Sequence, residues 1–262
     1  MTLANWSVGV LWIGLTLYVV FAGADFGAGF WDLFAGGTER GRDQRELIEH
    51  SIGPVWEANH VWLIFVLVLL WTAFPPVFAA VMSTLYIPLT LVALGIIVRG
   101  AGFAFRKASD QLGWQRLFGA AFAMSSVITP FFLGAVAGGI ASSRVPPGLA
   151  RGDLLHSWWN PTSVLGGTLA VGAAAYLAAT YLCADARRQG HPELAEAFRL
   201  LGAATGVVLG GSRIRRHCSL ARRRTAAVPR PHPPGAHPCS RLRASWCRIP
   251  GAVAAPSLRR GA

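Results

Sequence analysis

From residue 6 to residue 184 the chain alternates between apolar blocks of roughly twenty residues and short polar stretches. An α-helix of about that length crosses the hydrocarbon core of a bilayer, whereas a barrel strand needs only about ten residues. A helix also satisfies its own backbone N–H and C=O groups in lipid, where no water is present to do so. The blocks therefore predict membrane-spanning helices near 6–24, 57–74, 77–98, 117–140 and 162–184. A sixth begins near Phe198 and is cut after about 14 residues, too short to cross comfortably. The expected fold class is all-α, a polytopic transmembrane helix bundle with five complete helices and a sixth begun. Pro75-Pro76 fits a tight reversal between the second and third helices. Pro88 and Pro130 lie inside later blocks and are expected to kink helices rather than end them.

The polar stretches differ in charge. Arg40, Arg42 and Arg45 follow the first helix; Arg99, Arg106, Lys107 and Arg116 follow the third; Arg187, Arg188 and Arg199 follow the fifth. The intervening loops hold Arg144 and Arg151 alone, so ten basic residues face two. Cytoplasmic loops carry the excess of arginine and lysine, which places the N-terminus outside and the loops near 40, 106 and 188 in the cytoplasm. Trp158 and Trp159, beside Pro161, suit an interfacial belt on the outer side.

Composition agrees with a membrane protein, at 53% hydrophobic and 14% charged residues. The net charge of +12 would point to nucleic acid or anionic lipid if it were spread along the chain. It is not: residues 1–210 hold 12 basic and 12 acidic side chains, and residues 211–262 hold 12 arginines with no acid. No nucleic-acid partner is expected, and membrane lipid is. Cys183 lies in an apolar run, while Cys218, Cys239 and Cys247 lack the spacing of a zinc site, so neither a metal nor a disulfide framework is expected. No Lys or Arg precedes Arg40, which argues against a cleaved secretory signal despite the small residues Ala22-Gly23-Ala24.

Against this apolar background a few polar residues stand out. In S-I-G-P-V-W-E-A-N-H-V-W-L-I-F, residues 51–65, Glu57, Asn59 and His60 open a long apolar run. An ionisable side chain at the edge of hydrocarbon is costly unless paired, neutralised or hydrated, which makes Glu57 a functional candidate. With the predicted boundaries, Asp25 ends the first helix, Glu57 starts the second and Arg99 ends the third, all toward the cytoplasmic face. The plain alternatives are a helix-start carboxylate for Glu57 and a snorkelling anchor for Arg99. Clustering beside Asn59 and His60 favours a hydrated polar pocket with access for protons. Glu57-x-x-His60 has the spacing used in di-iron bundles, but the second copy those bundles need is not found. His60 or His156 could serve as a haem axial ligand, although no feature of the sequence marks either.

G-A-D-F-G-A-G at 23–29, S-I-G-P-V-W-E-A-N-H-V-W-L-I at 51–64 and V-R-G-A-G-F-A-F-R at 98–106 resemble subunit II of the bd-type quinol oxidases, a family that includes cyanide-insensitive members. The resemblance covers roughly residues 5–210. It implies a haem-free helical subunit of a bacterial cytoplasmic-membrane complex that oxidises quinol and reduces oxygen to water. The haems, b and d, and the quinol site would lie in a partner, subunit I; a small single-helix subunit is a further partner the resemblance allows. Subunit II would support haem assembly and deliver protons. By motif position Trp56 and Glu57 match the family's Trp-acid pair, Asp25 the acid of its first-helix motif, and Arg99 the arginine closing helix three. Glu57, Asp25, Asn59 and His60 are thus proton-path candidates, and Trp56, Arg99 and Arg106 a structural polar cluster. A purely structural role is the alternative within the family. A proton-coupled secondary transporter is the alternative outside it, disfavoured because no internal repeat is evident and the acids fall at the predicted helix ends.

Beyond Gly211 the stretches R-I-R-R-H, P-R-P-H-P-P-G-A-H-P and S-R-L-R-A-S-W-C-R show no apolar period. The change is abrupt, and members of the resembled family continue with further helices. A translational frame change near residues 210–213 would account for it, leaving 1–210 as the transmembrane domain and 211–262 as an out-of-frame, disordered tail.

Overall fold

Apolar runs with few helix breakers make long helices, and the described residues form seven helices: α1 (Leu3–Leu33), α2 (Arg42–Ala73), α3 (Pro75–Thr84), α4 (Tyr86–Ala108), α5 (Leu112–Ala141), α6 (Pro161–Arg188) and α7 (Pro192–Ala226). The computed structural model describes residues 2–36, 41–108 and 112–226, with side chains omitted at 106–112 and 212–226. No strand occurs among the described residues. The chain divides between Arg215 and Arg216, with the compact helical unit on the N-terminal side. The described part of the other side is the helical backbone up to Ala226.

Among the described residues six helices are long and apolar enough to cross a membrane, and α3, at ten residues, is not. α1 packs on α2, α5 and α6, and α5 packs on α4 and α6. Large apolar side chains point outward around the bundle, among them Trp6, Trp12, Ile13, Ile64 and Trp71. In water such a surface would drive aggregation; in hydrocarbon it costs nothing. The chain is a multi-pass membrane protein.

Several predicted boundaries are corrected. α1 runs past Asp25 to Leu33, burying Phe26, Ala28 and Trp31. α2 starts at Arg42 rather than 57 and passes through Pro54. Its first half is amphipathic rather than uniformly apolar, with Leu47, Ile48, Ser51, Ile52 and Val55 buried along one face. A search for apolar blocks therefore missed it. The block 77–98 is divided at Leu85 into α3 and α4. Pro88 has no N–H to offer Thr84, and its ring crowds the carbonyl four residues back, so the helix breaks one residue beyond Thr84. Pro130 lies within an unbroken α5, as expected. Phe74 joins α2 to α3 ahead of Pro75-Pro76, and the ring stack of Trp71 on Phe78 at 6.0 Å closes the joint. By Phe103 the chain has turned back to meet Trp56. The sixth spanning helix starts at Pro192 rather than near Phe198, its apolar span reaches Gly211, and its backbone stays helical to Ala226. With its start six residues earlier than expected, the span to Gly211 is long enough to cross. The stretch 227–262 of the expected tail lies outside the described residues.

The connections fall at two ends of the bundle. Ser83, at the end of α3, accepts a hydrogen bond from the N–H of Ala150 at 2.9 Å, so α3 meets the loop between α5 and α6. At the other end Arg45 pairs with Asp32 at 3.4 Å, joining α2 to α1. With the excess of positive charge at this second end, Arg40→Cys should label only from the cytoplasm and Trp159→Cys only from outside. The reverse labelling pattern would refute the orientation.

Candidate functional site

The second turn before the end of α1 carries Asp25, a carboxylate with no exposed surface, and α4 aims Arg99, 1% exposed, straight at it. One terminal nitrogen of Arg99 lies 2.6 Å from Asp25 Oδ1 and 2.6 Å from the Asp25 carbonyl oxygen. From α2, the amide of Asn59 donates to the other carboxylate oxygen at 3.2 Å. From α5, the hydroxyl of Ser126 accepts from the second terminal nitrogen of Arg99 and itself donates to the Phe122 carbonyl at 2.5 Å. The guanidinium is held between the rings of Phe26 and Phe122, with centroids 5.0 and 4.2 Å from its central carbon. Four helices thus converge on one ion pair, and the aromatic faces exclude water from both sides of the cation.

Glycine makes the approach possible. A Cβ on Gly29 would fall 2.1 Å from the Ser126 hydroxyl and 2.7 Å from an Arg99 nitrogen. Two residues earlier and on a different face, a Cβ on Gly27 would fall 1.9 Å from the carbonyl oxygen of Ala174 on α6. The glycine-rich G-A-D-F-G-A-G stretch is therefore the surface that brings α1 against α5 and α6. Trp31 locks the same contact by donating its ring N–H to the Ala175 carbonyl at 2.8 Å.

Of the residues singled out in the sequence, Asp25, Asn59 and Arg99 meet directly. Trp56 and His60 stand at the rim: their rings lie 4.8 Å apart, Trp56 stacks on Phe103 at 6.4 Å, and His60 Nδ1 donates to the Trp56 carbonyl at 2.7 Å. Glu57 does not join them. It is exposed on the outer surface of α2, in a stripe with Pro54, Val61, Ile64, Val68 and Trp71. Those positions are spaced alternately three and four apart, which makes one straight helix face. Arg106 sits on the α4 backbone, and its side chain lies outside the described residues. Asp25, Glu57 and Arg99 lie within their helices, not at the ends that apolar blocks implied: α1 continues to Leu33, α2 starts at Arg42 and α4 runs to Ala108.

Two further groups escaped the sequence reading. Ser126 was legible only as one of several small polar residues in M-S-S-V-I-T-P. Asp185, near the end of α6, takes a hydrogen bond from the Ser51 hydroxyl of α2 and one from Gln189 at 2.8 Å. Its signal, a single acid in C-A-D-A-R-R, reads equally well as a solvated helix end.

Among the described residues no three His, Cys, Asp or Glu side chains gather to hold a metal ion. No described histidine is buried: His50, His156 and His191 are exposed and His60 is half-buried beside Trp56.

The profile of the cytochrome bd terminal oxidase subunit II family matches residues 3–214. Similar curated proteins include the cytochrome bd ubiquinol oxidase subunit 2 of Bacillus subtilis (strain 168), 36% identical over 127 residues, covering 48% of this chain and 36% of that one. The cytochrome bd-I ubiquinol oxidase subunit 2 of Escherichia coli (strain K12) is 31% identical over 181 residues, 67% of this chain and 46% of that one. The matched stretch thus spans less than half the length of either relative. With the profile covering most of its length, and the Asp25, Trp56-Glu57 and Arg99 motifs all inside that match, the chain belongs to the cytochrome bd terminal oxidase subunit II family.

Proposed function

We propose that this chain is the haem-free second subunit of a bacterial quinol oxidase that reduces oxygen to water, and that it works by scaffolding and proton delivery. Quinol oxidation and the b and d haems belong, in this reading, to a subunit I docked beside it. The observation that carries the reading is the outward stripe of α2. A lone carboxylate facing hydrocarbon is costly, whereas one covered by a partner subunit can be hydrated and can hand protons across the joint. Glu57 is the only ionisable residue of that stripe, and Val61, Ile64, Val68 and Trp71 supply its apolar part.

The buried centre supports a division of labour. Asp25 and Arg99 neutralise each other and tie α1, α2, α4 and α5 together, which suits a scaffold for a cofactor-bearing neighbour. Glu57 stands outside this centre and is left for proton transfer. The transporter alternative loses one objection, since the acids lie inside helices, and still lacks a repeat.

Glu57→Gln keeps the shape of the side chain and removes its titration. In the complex co-expressed with subunit I, the haem spectrum should persist while turnover falls, with the deficit growing as pH rises and other donors lose their protons. Proton-transfer residues typically contribute about 10²–10⁴-fold, and Glu57→Asp should recover part of that. Normal turnover of Glu57→Gln across pH would leave the purely structural role. A haem spectrum that does not depend on co-expressing this chain would defeat the scaffold as well.

A further inference from the structure

The loop between α5 and α6, residues 142–160, has an unusual surface for a connection outside a membrane. Leu149, Leu154, Leu155 and Trp159 are 71%, 45%, 56% and 61% exposed. The loop is nevertheless tightly built. Ser157 donates to the Arg144 carbonyl at 3.0 Å, and Arg144 donates to the His156 carbonyl at 3.2 Å. Trp158 is buried against Phe132, with ring centroids 5.8 Å apart. Asn160 caps α6 by accepting from the Ser163 N–H at 3.0 Å. Flexibility therefore does not explain the exposed leucines; they are held where they are.

Two concavities are lined by consecutive stretches of the chain, one ending at Ser157 and the other starting at Trp159. One is polar, lined by Ser143, Arg144, Arg151, Asp153, His156 and Ser157. The other is apolar and runs down α6 from Trp159 and Pro161 past Val164, Leu165 and Thr168. Those positions recur at helical spacing on one face, so the apolar groove descends from the start of the span toward the hydrocarbon.

We propose that this pair of concavities binds one anionic phospholipid of the outer leaflet, its phosphate beside Arg144 and Arg151 and one acyl chain along the α6 groove. Charge favours an anion. Asp153 is the one acid in the polar concavity, and it is already engaged, accepting from the N–H groups of Leu155 and His156 at 2.8 and 2.6 Å and lying 3.2 Å from the His156 ring. Those N–H groups hold its carboxyl below the usual range, so it stays ionised and offsets one arginine, leaving the second uncompensated. The apolar groove decides between anions: a free phosphate has no use for it, while a diacyl lipid fills both. Trp159 at the start of the apolar groove suits the headgroup level, where its ring meets both phases. The proposal does not depend on the oxidase reading.

The test uses the full-length chain, purified and placed in nanodiscs of equal parts phosphatidylglycerol and phosphatidylcholine, with retained lipid read by native mass spectrometry. One phosphatidylglycerol should be retained over phosphatidylcholine by at least about fivefold, on the scale of a basic residue's attraction to anionic lipid. Arg144→Gln with Arg151→Gln should abolish that preference. Val164→Trp, which fills the groove and leaves the charges, should release the lipid too. No preference in the unaltered chain overturns the proposal whatever the variants do. Release by inorganic phosphate would reduce the feature to an anion site, and retention in Val164→Trp would show that the acyl chain lies elsewhere; either result overturns the lipid assignment.

Discussion

Arg99→Leu is expected to destabilise the bundle by about 3–5 kcal/mol, the cost of leaving one member of a buried pair without its counter-charge. Asp25 has no exposed surface, so without Arg99 its charge cannot reach water. Asn59 would remain as its one side-chain donor, at 3.2 Å. Asp25→Asn should cost a similar amount by stranding the guanidinium between Phe26 and Phe122. The combination of Asp25→Asn with Arg99→Leu should cost less than the sum of the two, because neither charge is then left alone. Thermal unfolding in detergent measures the stabilities, and haem per protein in the co-expressed complex measures assembly. Strictly additive losses would mean that the 2.6 Å pair contributes no coupling.

Gly27→Ala should be nearly as damaging although it adds a single methyl group. Its Cβ would lie 1.9 Å from a backbone oxygen of α6, and a backbone cannot step aside as a side chain can. The helices would have to separate, and overpacking of this kind costs roughly 1–3 kcal/mol and sometimes more. Separation of α1 from α6 would also break the bond of Trp31 to the Ala175 carbonyl. Gly9→Ala in the same helix meets nothing within 4 Å and should be neutral or slightly stabilising. Equal unfolding temperatures for the two variants would disprove the close approach.

The two experiments probe different parts of one arrangement. The ion pair sets which helices meet and at what height, since each partner must find the other within hydrogen-bonding reach. The glycines set how near the backbones come. In lipid, where apolar burial between helices brings little, close packing and internal polar contacts are what remain to hold a bundle together.

Much of this was legible in the chain. Block length alone implied spanning helices, and the imbalance of arginine between alternate loops implied their direction. The motifs at 23–29, 51–64 and 98–106 pointed to the family that the profile match establishes. They also contained Asp25, Asn59 and Arg99. Hydrophobicity reports which residues prefer lipid, and that preference acts locally, so it can be read residue by residue. Helix ends were another matter. The first half of α2 buries one face against its neighbours, and an amphipathic helix of that kind leaves no apolar block to find.

Only the tertiary structure decided the fates of the two acids. Asp25 and Glu57 look alike in sequence, each a single carboxylate in an apolar setting. The rotation of α1 turns the first inward onto Arg99, and the rotation of α2 turns Asn59 inward and Glu57 out, since residues two apart on a helix point in very different directions. Ser126 could not be assigned before α5 was seen to cross at the level of Arg99, nor Asp185 before Ser51 was seen opposite it. Sequence determined which segments are long and apolar enough to enter the membrane, because transfer to lipid depends on each segment's own side chains. The partner of each polar group depends on helix rotation and height, which are settled by contacts between segments distant in the chain.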